Sequence, residues 1–276
     1  MDVAQAVESI KPSIVQISFT ALDISEDMRS RLGRSFFTQP IGTGFLVDTE
    51  GHIITARHVI QEGNKLVERI SATRKQLNIG FSQENSENMR GNFVLVDFDI
   101  VDEDNRHDLI LLKLRSNPFK GEVHSMFMID NKEWPLLFGM VTLNPNRPKD
   151  GVAIGVSGYP LNQTVLVTNA GWLATSWGYE QEILPVPNWF YEPNIADFYL
   201  ADIQANPGNS GGPVYLIENA TVIGVCVGIL RTNAWDQDGN IVTINHKEVY
   251  YSSGLTKVIP VRYLIELLVR HNVNWK

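Results

Sequence analysis

Cysteine is almost absent: Cys226 is the only one among 276 residues. No intramolecular disulfide can form, and neither a Cys₄ nor a Cys₂His₂ metal site can be assembled. Such a chain is suited to a reducing compartment, and cytoplasmic residence is the simplest expectation. Basic residues are also outnumbered, 23 Lys and Arg against 31 Asp and Glu, for a net charge of −8. Without a basic stripe there is nothing to hold a phosphate backbone, so no nucleic-acid partner is expected. No uncharged run reaches membrane-spanning length, which removes a membrane span. The opening MDVAQAVESIKPSIVQI has no basic start followed by an apolar run and a small-residue cleavage site, so it does not read as a leader. Solenoid-length repeats and low-complexity tracts are absent too.

Short apolar, β-branched runs fill the sequence instead. SIVQISF, IGTGFLVD, HIITA, NFVLVDFDIV and DLILLKL read as strands, and the pattern resumes after residue 150 with GVAIGVSGY, TVLVTNAGWLAT, IADFYLADI, GPVYLI, TVIGVCVGIL and HKEVYYSS. Two β-rich halves follow. Between them, Ser116 to Asp150 holds proline but little periodicity and suggests a connecting segment on the surface. The expected organisation is a first barrel over 1–118, a connection over 119–150, a second barrel over 151–258 and a C-terminal helix over 259–276. That helix rests on Val261, Leu264, Ile265 and Leu268 at i, i+3, i+4 and i+7.

Three segments carry chemistry. A serine hydroxyl is a poor nucleophile at neutral pH and needs an imidazole base, a carboxylate to orient that base, and amide donors for the developing oxyanion. ANPGNSGGPVYLI sets Ser210 in a Gly-rich turn, where Gly208 can aim its own N–H and that of Ser210 at one point; Asn209 lies between them. His58 ends the hairpin-like GTGFLVDTEGHIITARHVI, where a strand gives way to a polar loop. Asp108 opens the apolar run DLILLKL, which anchors its carboxylate at a strand entrance; Asp97, Asp99, Asp102 and Asp104 lack that placement. His107 adjoins Asp108, but neighbours on a strand point to opposite faces.

Ser210 also satisfies G-x-S-x-G, the nucleophile elbow of α/β-hydrolases. That elbow needs a strand before the serine, a helix after it and a later base histidine. Here Asn206-Pro207 precedes, the β-like GPVYLI follows, and only His246 and His271 come later. Asp236 to Asn240 has the look of a calcium loop, but the twelfth position is Lys247 rather than Glu, so a hairpin turn is expected. The aromatic, proline-rich stretch from Ser176 to Asn194 is a candidate cleft-lining or packing loop. Gly33 to Pro40, with Phe36 and Phe37, is a second expected loop and a candidate contact for a homo-oligomer.

TARHVI, HDLILLKL and NPGNSGGPV resemble the three signature blocks of trypsin-like serine peptidases, above all the bacterial HtrA/Deg type, and the resemblance runs from about Val3 to the C-terminal helix. It implies an all-β fold of two six-stranded antiparallel β-barrels, chymotrypsin-like, with a C-terminal helix. It implies endopeptidase activity on a protein or peptide substrate through His58, Asp108 and Ser210, with an oxyanion hole from Gly208, Asn209 and Ser210. No cofactor or metal is expected. The primary pocket would have Gln204 at its base and Val227, Gly228 and Ile229 as a wall, which argues against Arg or Lys specificity. Such peptidases usually carry a peptide-binding PDZ module; the chain ends at Lys276 with no room for one, so no peptide-gated activation is expected. Asn209 stands where the digestive branch has an Asp, so neither is activation by propeptide cleavage. The alternative on the same fold is a catalytically silent peptide-binding module.

Overall fold

The computed structural model describes residues 1–33, 35–83, 93–124, 128–129, 132–133, 135–179 and 197–275. The first half contains α1 (Val3–Ile10), β1 (Ile14–Ile24), α2 (Glu26–Leu32), β2 (Phe36–Leu46), β3 (His52–Ala56), α3 (Arg57–Arg69), β4 (Ala72–Ser82), β5 (Phe93–Val96), β6 (Phe98–Asp104) and β7 (Leu109–Leu114). In the connection lie two short paired strands, β8 (Met128–Ile129) and β9 (Lys132–Glu133). The second half contains β10 (Ala153–Gly158), β11 (Val167–Tyr179), β12 (Asp197–Asp202), β13 (Pro213–Leu216), β14 (Val222–Asn233), β15 (Thr243–Ile244), β16 (Lys247–Glu248), β17 (Tyr250–Pro260) and α4 (Val261–Arg270).

The second half closes as expected into a six-stranded barrel, β10-β11-β12-β17-β14-β13. Ile154, Val156, Tyr199, Val214 and Ile223 fill its interior. The first half departs from expectation. It is a seven-stranded sheet, β5-β4-β1-β2-β3-β7-β6, curled into a half-barrel rather than a six-stranded closed one. Its edge strands β5 and β6 follow each other with only Asp97 between them. Asp97 makes the corner: its carboxylate accepts from Asn78 on β4 at 2.9 Å and its carbonyl from the amide of Arg115, just after β7, at 2.9 Å. Two strands that meet end to end at a corner cannot also lie side by side in a ladder.

Three helices were not anticipated. α1 starts at a capping box: the Gln5 amide donates to Asp2 at 2.8 Å and the Asp2 amide to the Gln5 side chain at 3.1 Å. α2 ends on Gly33 at φ 66, so this glycine caps a helix rather than opening a loop. Phe36 and Phe37 then belong to β2, and Phe37 packs on Phe19 with ring centroids 6.2 Å apart. Pro40 is tolerated in that strand because the β1/β2 register shifts beside it. α3 replaces the polar loop expected after His58. α4 covers Val261–Arg270, shorter than the helix expected over 259–276, with Val261, Leu264, Leu267 and Leu268 buried and Ile265 only partly so. The aromatic stretch expected from Ser176 to Asn194 lies outside the described residues from 180 onward.

One further apolar cluster joins the halves. Phe45, Ile54, Leu109 and Leu111 from the first sheet meet Tyr215, Val225 and Ile259 from the barrel, with the apolar face of α4 against both. The strand ends that border this shared core carry the candidate site.

Candidate active site

α3 begins without a local cap, since Ala56 at its N-cap has no side-chain oxygen. Asp108, fifty positions beyond His58, fills that role: its carbonyl accepts from the Arg57 amide at 2.9 Å and its Oδ1 from the His58 amide at 2.9 Å. Two orphan amides of the first turn are thereby satisfied, and the carboxylate sits at the positive end of the helix dipole. The second carboxylate oxygen, Oδ2, lies 2.6 Å from His58 Nδ1. His58 is therefore held at two points by one side chain, at its ring nitrogen and at its backbone amide. Val59, Ile60 and Gly63 bury the inner face of α3 and keep His58 at the mouth of the sheet.

Asp108 reaches this place through a left-handed backbone, φ 56, which Asp tolerates better than most residues. The turn before it is built by Asp104, whose carboxylate accepts from the amides of Arg106 at 3.0 Å and His107 at 3.1 Å and meets His107 Nδ1 at 2.7 Å. Burial alone would raise the Asp104 carboxyl; the hydrogen bonds from His107 outweigh it and hold the group below the ordinary aspartate range. The His107 ring turns away from the cleft and stacks on Tyr263 of α4, centroids 3.6 Å apart. His107 is thus a structural histidine.

Ser210 lies in the turn between β12 and β13. Gly208 and Gly211 have φ 102 and φ 84. A Cβ on Gly208 would meet the Tyr159 carbonyl at 2.3 Å, and one on Gly211 would meet Thr55 Oγ1 at 2.0 Å, so only glycine fits either position. The Pro207 carbonyl accepts from the Leu161 amide at 2.7 Å, which turns the following N–H, that of Gly208, the other way. The Asn209 amide is spent on the Asn206 carbonyl at 2.9 Å. Among the described residues the amides of Gly208 and Ser210 have no acceptor.

Thr43, in β2, ties this turn to the first sheet. Its amide donates to the Ser210 carbonyl at 2.9 Å, its hydroxyl donates to the Gly208 carbonyl at 2.7 Å and accepts from the Tyr159 amide at 3.0 Å, and its carbonyl accepts from Thr55 Oγ1 at 2.6 Å. Thr43 was not singled out in the sequence. The only hint was its place between two glycines in GTGF.

His58 and Ser210 line one cleft of about 350 Å³, together with Ala205, Asn206, Pro207, Cys226, Val227, Gly228, Ile229 and Arg231. No hydrogen bond joins Ser210 Oγ to His58 among the described residues. Val227, Gly228 and Ile229, expected as a wall of the primary pocket, line this cleft. Gln204 is exposed and outside the lining, its carbonyl bonded to Asn169 Nδ2 at 2.6 Å; Ala205 stands at the cleft instead. Arg231 was missed, because its place depends on two register shifts in β14. Burial pushes the Cys226 thiol up to about 12, so this sulfur stays a protonated wall residue at neutral pH.

A family model for the trypsin-like peptidase domain matches residues 42–225. DegP-like proteins of Pseudomonas fluorescens and Pseudomonas fulva, both described as probable periplasmic serine endoproteases, are 25% identical over 249 residues and 24% identical over 191 residues. Those matches take in 80% and 69% of this chain but 42% and 29% of the relatives, so the chain spans less than half their length. Among solved structures, the HtrA-type protease AlgW with decapeptide superposes with a TM-score of 0.59 at 17% identity, over 98% of this chain and 67% of that one. The active form of the Rv3671c protease from M. tuberculosis does so with a TM-score of 0.54 at 16% identity, over 98% and 85%. The structural likenesses speak to fold, and the family model covers most of the chain, including His58, Asp108 and Ser210. The chain belongs to the trypsin-like peptidase domain family and is related to the HtrA/DegP-type proteases.

Proposed function

We propose that the protein is a serine endopeptidase in which Ser210 is the nucleophile, His58 the general base and Asp108 the group that orients His58. The observation that carries this reading is the two-point hold of Asp108 on His58, 2.6 Å to the ring and 2.9 Å to the amide, in the same cleft as Ser210. With Nδ1–H donated to Asp108, His58 Nε2 is free to accept. It takes the proton from Ser210 Oγ as that oxygen bonds to the scissile carbonyl carbon. The carbonyl π electrons move to oxygen, and the amides of Gly208 and Ser210 receive the oxyanion. His58 then hands the proton to the leaving nitrogen as the C–N bond breaks, and Asp108 stays ionised beside the imidazolium. A water, deprotonated by His58, releases the acyl group from Ser210.

The wall of Val227, Gly228 and Ile229 favours small or medium uncharged side chains, and Arg231 at the cleft repels Lys and Arg. The buried thiol of Cys226 leaves the fold independent of oxidation, which suits a reducing cytoplasm and a periplasm alike.

The absent Ser210–His58 hydrogen bond favours a second reading, a cleft that binds a peptide segment without cutting it. A fluorophosphonate probe separates the two. The expected result is one adduct, mapped by mass spectrometry to Ser210 and lost in Ser210→Ala. Absence of labelling, with or without added unfolded protein, supports the silent cleft, and an adduct on another serine overturns the triad.

A further inference from the structure

The turn that delivers Asp108 to His58 closes β6 onto β7 at the pair Asp104↔Leu109. It ends in the left-handed Asp108, φ 56. A residue in that region persists only where its surroundings over-determine it. Here the Asp104 carboxylate supplies the hold. Its Oδ1 accepts from the amides of Arg106 at 3.0 Å and His107 at 3.1 Å, and its Oδ2 meets His107 Nδ1 at 2.7 Å. His107 is therefore gripped by Asp104 at amide and ring, in the same way that His58 is gripped by Asp108. Tyr263 stacks on the His107 ring with the planes 17° from parallel, and is itself fixed through its hydroxyl to Asp197.

The remaining ring nitrogen shows what the histidine is for. His107 is 6% exposed, and its Nε2 is buried with no hydrogen-bond partner among the described residues. A buried polar atom left unpaired costs stability. A phenylalanine would stack on Tyr263 and fill the same space without that cost. Packing thus favours an apolar ring at this position, and the one interaction such a ring lacks is the Nδ1–H donated to Asp104.

We propose that His107 is a positioning residue of the active site: its bond to Asp104 locks the turn that sets the Asp108 carboxylate against His58. The inference rests on the peptidase reading and adds to it a residue that acts through Asp108 and takes no proton in the reaction. Without the bond, the Asp104 carboxylate, 17% exposed, loses its ring donor. The backbone that follows is then released from φ 56, and Asp108 Oδ2 from its 2.6 Å contact with the His58 ring.

The test separates rate from stability. His107→Phe keeps the stack and removes the unpaired nitrogen. It is expected to unfold at the same or a higher urea concentration than the wild type, yet to label with fluorophosphonate about tenfold more slowly per folded molecule, because a displaced catalytic group costs rate by such factors. The loss is expected in the maximal labelling rate, with the half-saturating probe concentration unchanged. His107→Asn keeps a donor in the place of Nδ1 and loses the stack; it is expected to be less stable and to recover most of the rate. Wild-type labelling by His107→Phe, or labelling by His107→Asn as slow as that of His107→Phe, overturns the proposal. Should His107→Phe fail to fold, Asp104→Asn removes the charged acceptor from the other side of the bond and is expected to label as slowly; a wild-type rate there overturns it equally. Proton NMR gives a reading independent of labelling: the His58 Nδ1–H held by Asp108 is expected to exchange with water faster in His107→Phe than in the wild type, and equal exchange overturns the proposal. A wild type that does not label at all defeats the peptidase reading, and the NMR comparison then still decides on His107, so the two failures are distinguishable.

Discussion

At the scale of single residues, Thr43 shows how a side chain outside the proposed chemistry can set its geometry. Its hydroxyl fixes the Gly208 carbonyl and its amide the Ser210 carbonyl, so the turn holding both unpaired amides is referenced to β2. Thr43→Val keeps the shape and removes the hydroxyl. The expected outcome is a fall in kcat on the order of tenfold with KM little changed, smaller than the hundredfold or more lost on deleting an oxyanion donor itself. Thr43→Ser is expected to restore the rate. A purely structural role would instead lower thermal stability and leave kcat per folded molecule intact. The residues of the proposed triad stood out in the sequence because each sits in a short block with its own local pattern. Thr43 and Arg231 did not: their partners lie in strands distant along the chain, and no local pattern announces them.

Elements show the same division. α4 was readable from its 3.6-residue periodicity because its buried face is continuous. Leu268 is fully buried there, between sheet and barrel. Leu268→Ala is expected to cost about 2–5 kcal/mol, seen as a lower urea midpoint at unchanged slope. α3 was not readable as a helix start. Its first residues, Arg57 and His58, follow Ala56, and the cap comes from Asp108 across the fold. Only when β7 is laid beside β3 does that carboxylate reach the helix. Gln204, which the resemblance put at the base of the pocket, is exposed and outside the cleft lining, because its place depends on how the turn before Ser210 folds.

The whole molecule is tied together at Asp197. It accepts from Arg262 and Tyr263 of α4, and from Arg147 of the connection at 3.1 Å. Burial alone would raise its pKa; Arg262, Tyr263 and Arg147 prevail and hold the carboxyl below the ordinary aspartate range. A depressed folded value means that the protein binds this proton less readily than the unfolded chain does. The stabilisation is complete above the unfolded aspartate pKa of about 3.9 and is lost as pH falls through the lower folded value. Wild-type stability is therefore expected to drop below about pH 4. Asp197→Asn is expected to be less stable at pH 7, because it leaves the half-buried guanidinium groups of Arg147 and Arg262 facing a neutral amide, and to show a shallower acid limb. Denaturant titrations at several pH values check both points.

The strands, the division into two β-rich halves, the C-terminal helix and the nature of the three proposed catalytic groups were decided by the sequence alone. Each is a matter of local periodicity or a short turn whose chemistry is contained in a few neighbouring residues. The half-barrel, the capping of α3 by Asp108, the clamp of Thr43 and the stack of His107 on Tyr263 were decided only by the tertiary structure. Each depends on strand register and on hydrogen bonds or pairings that exist only once distant segments lie side by side. No local window contains that information, because the energy that selects it is shared across the assembled fold.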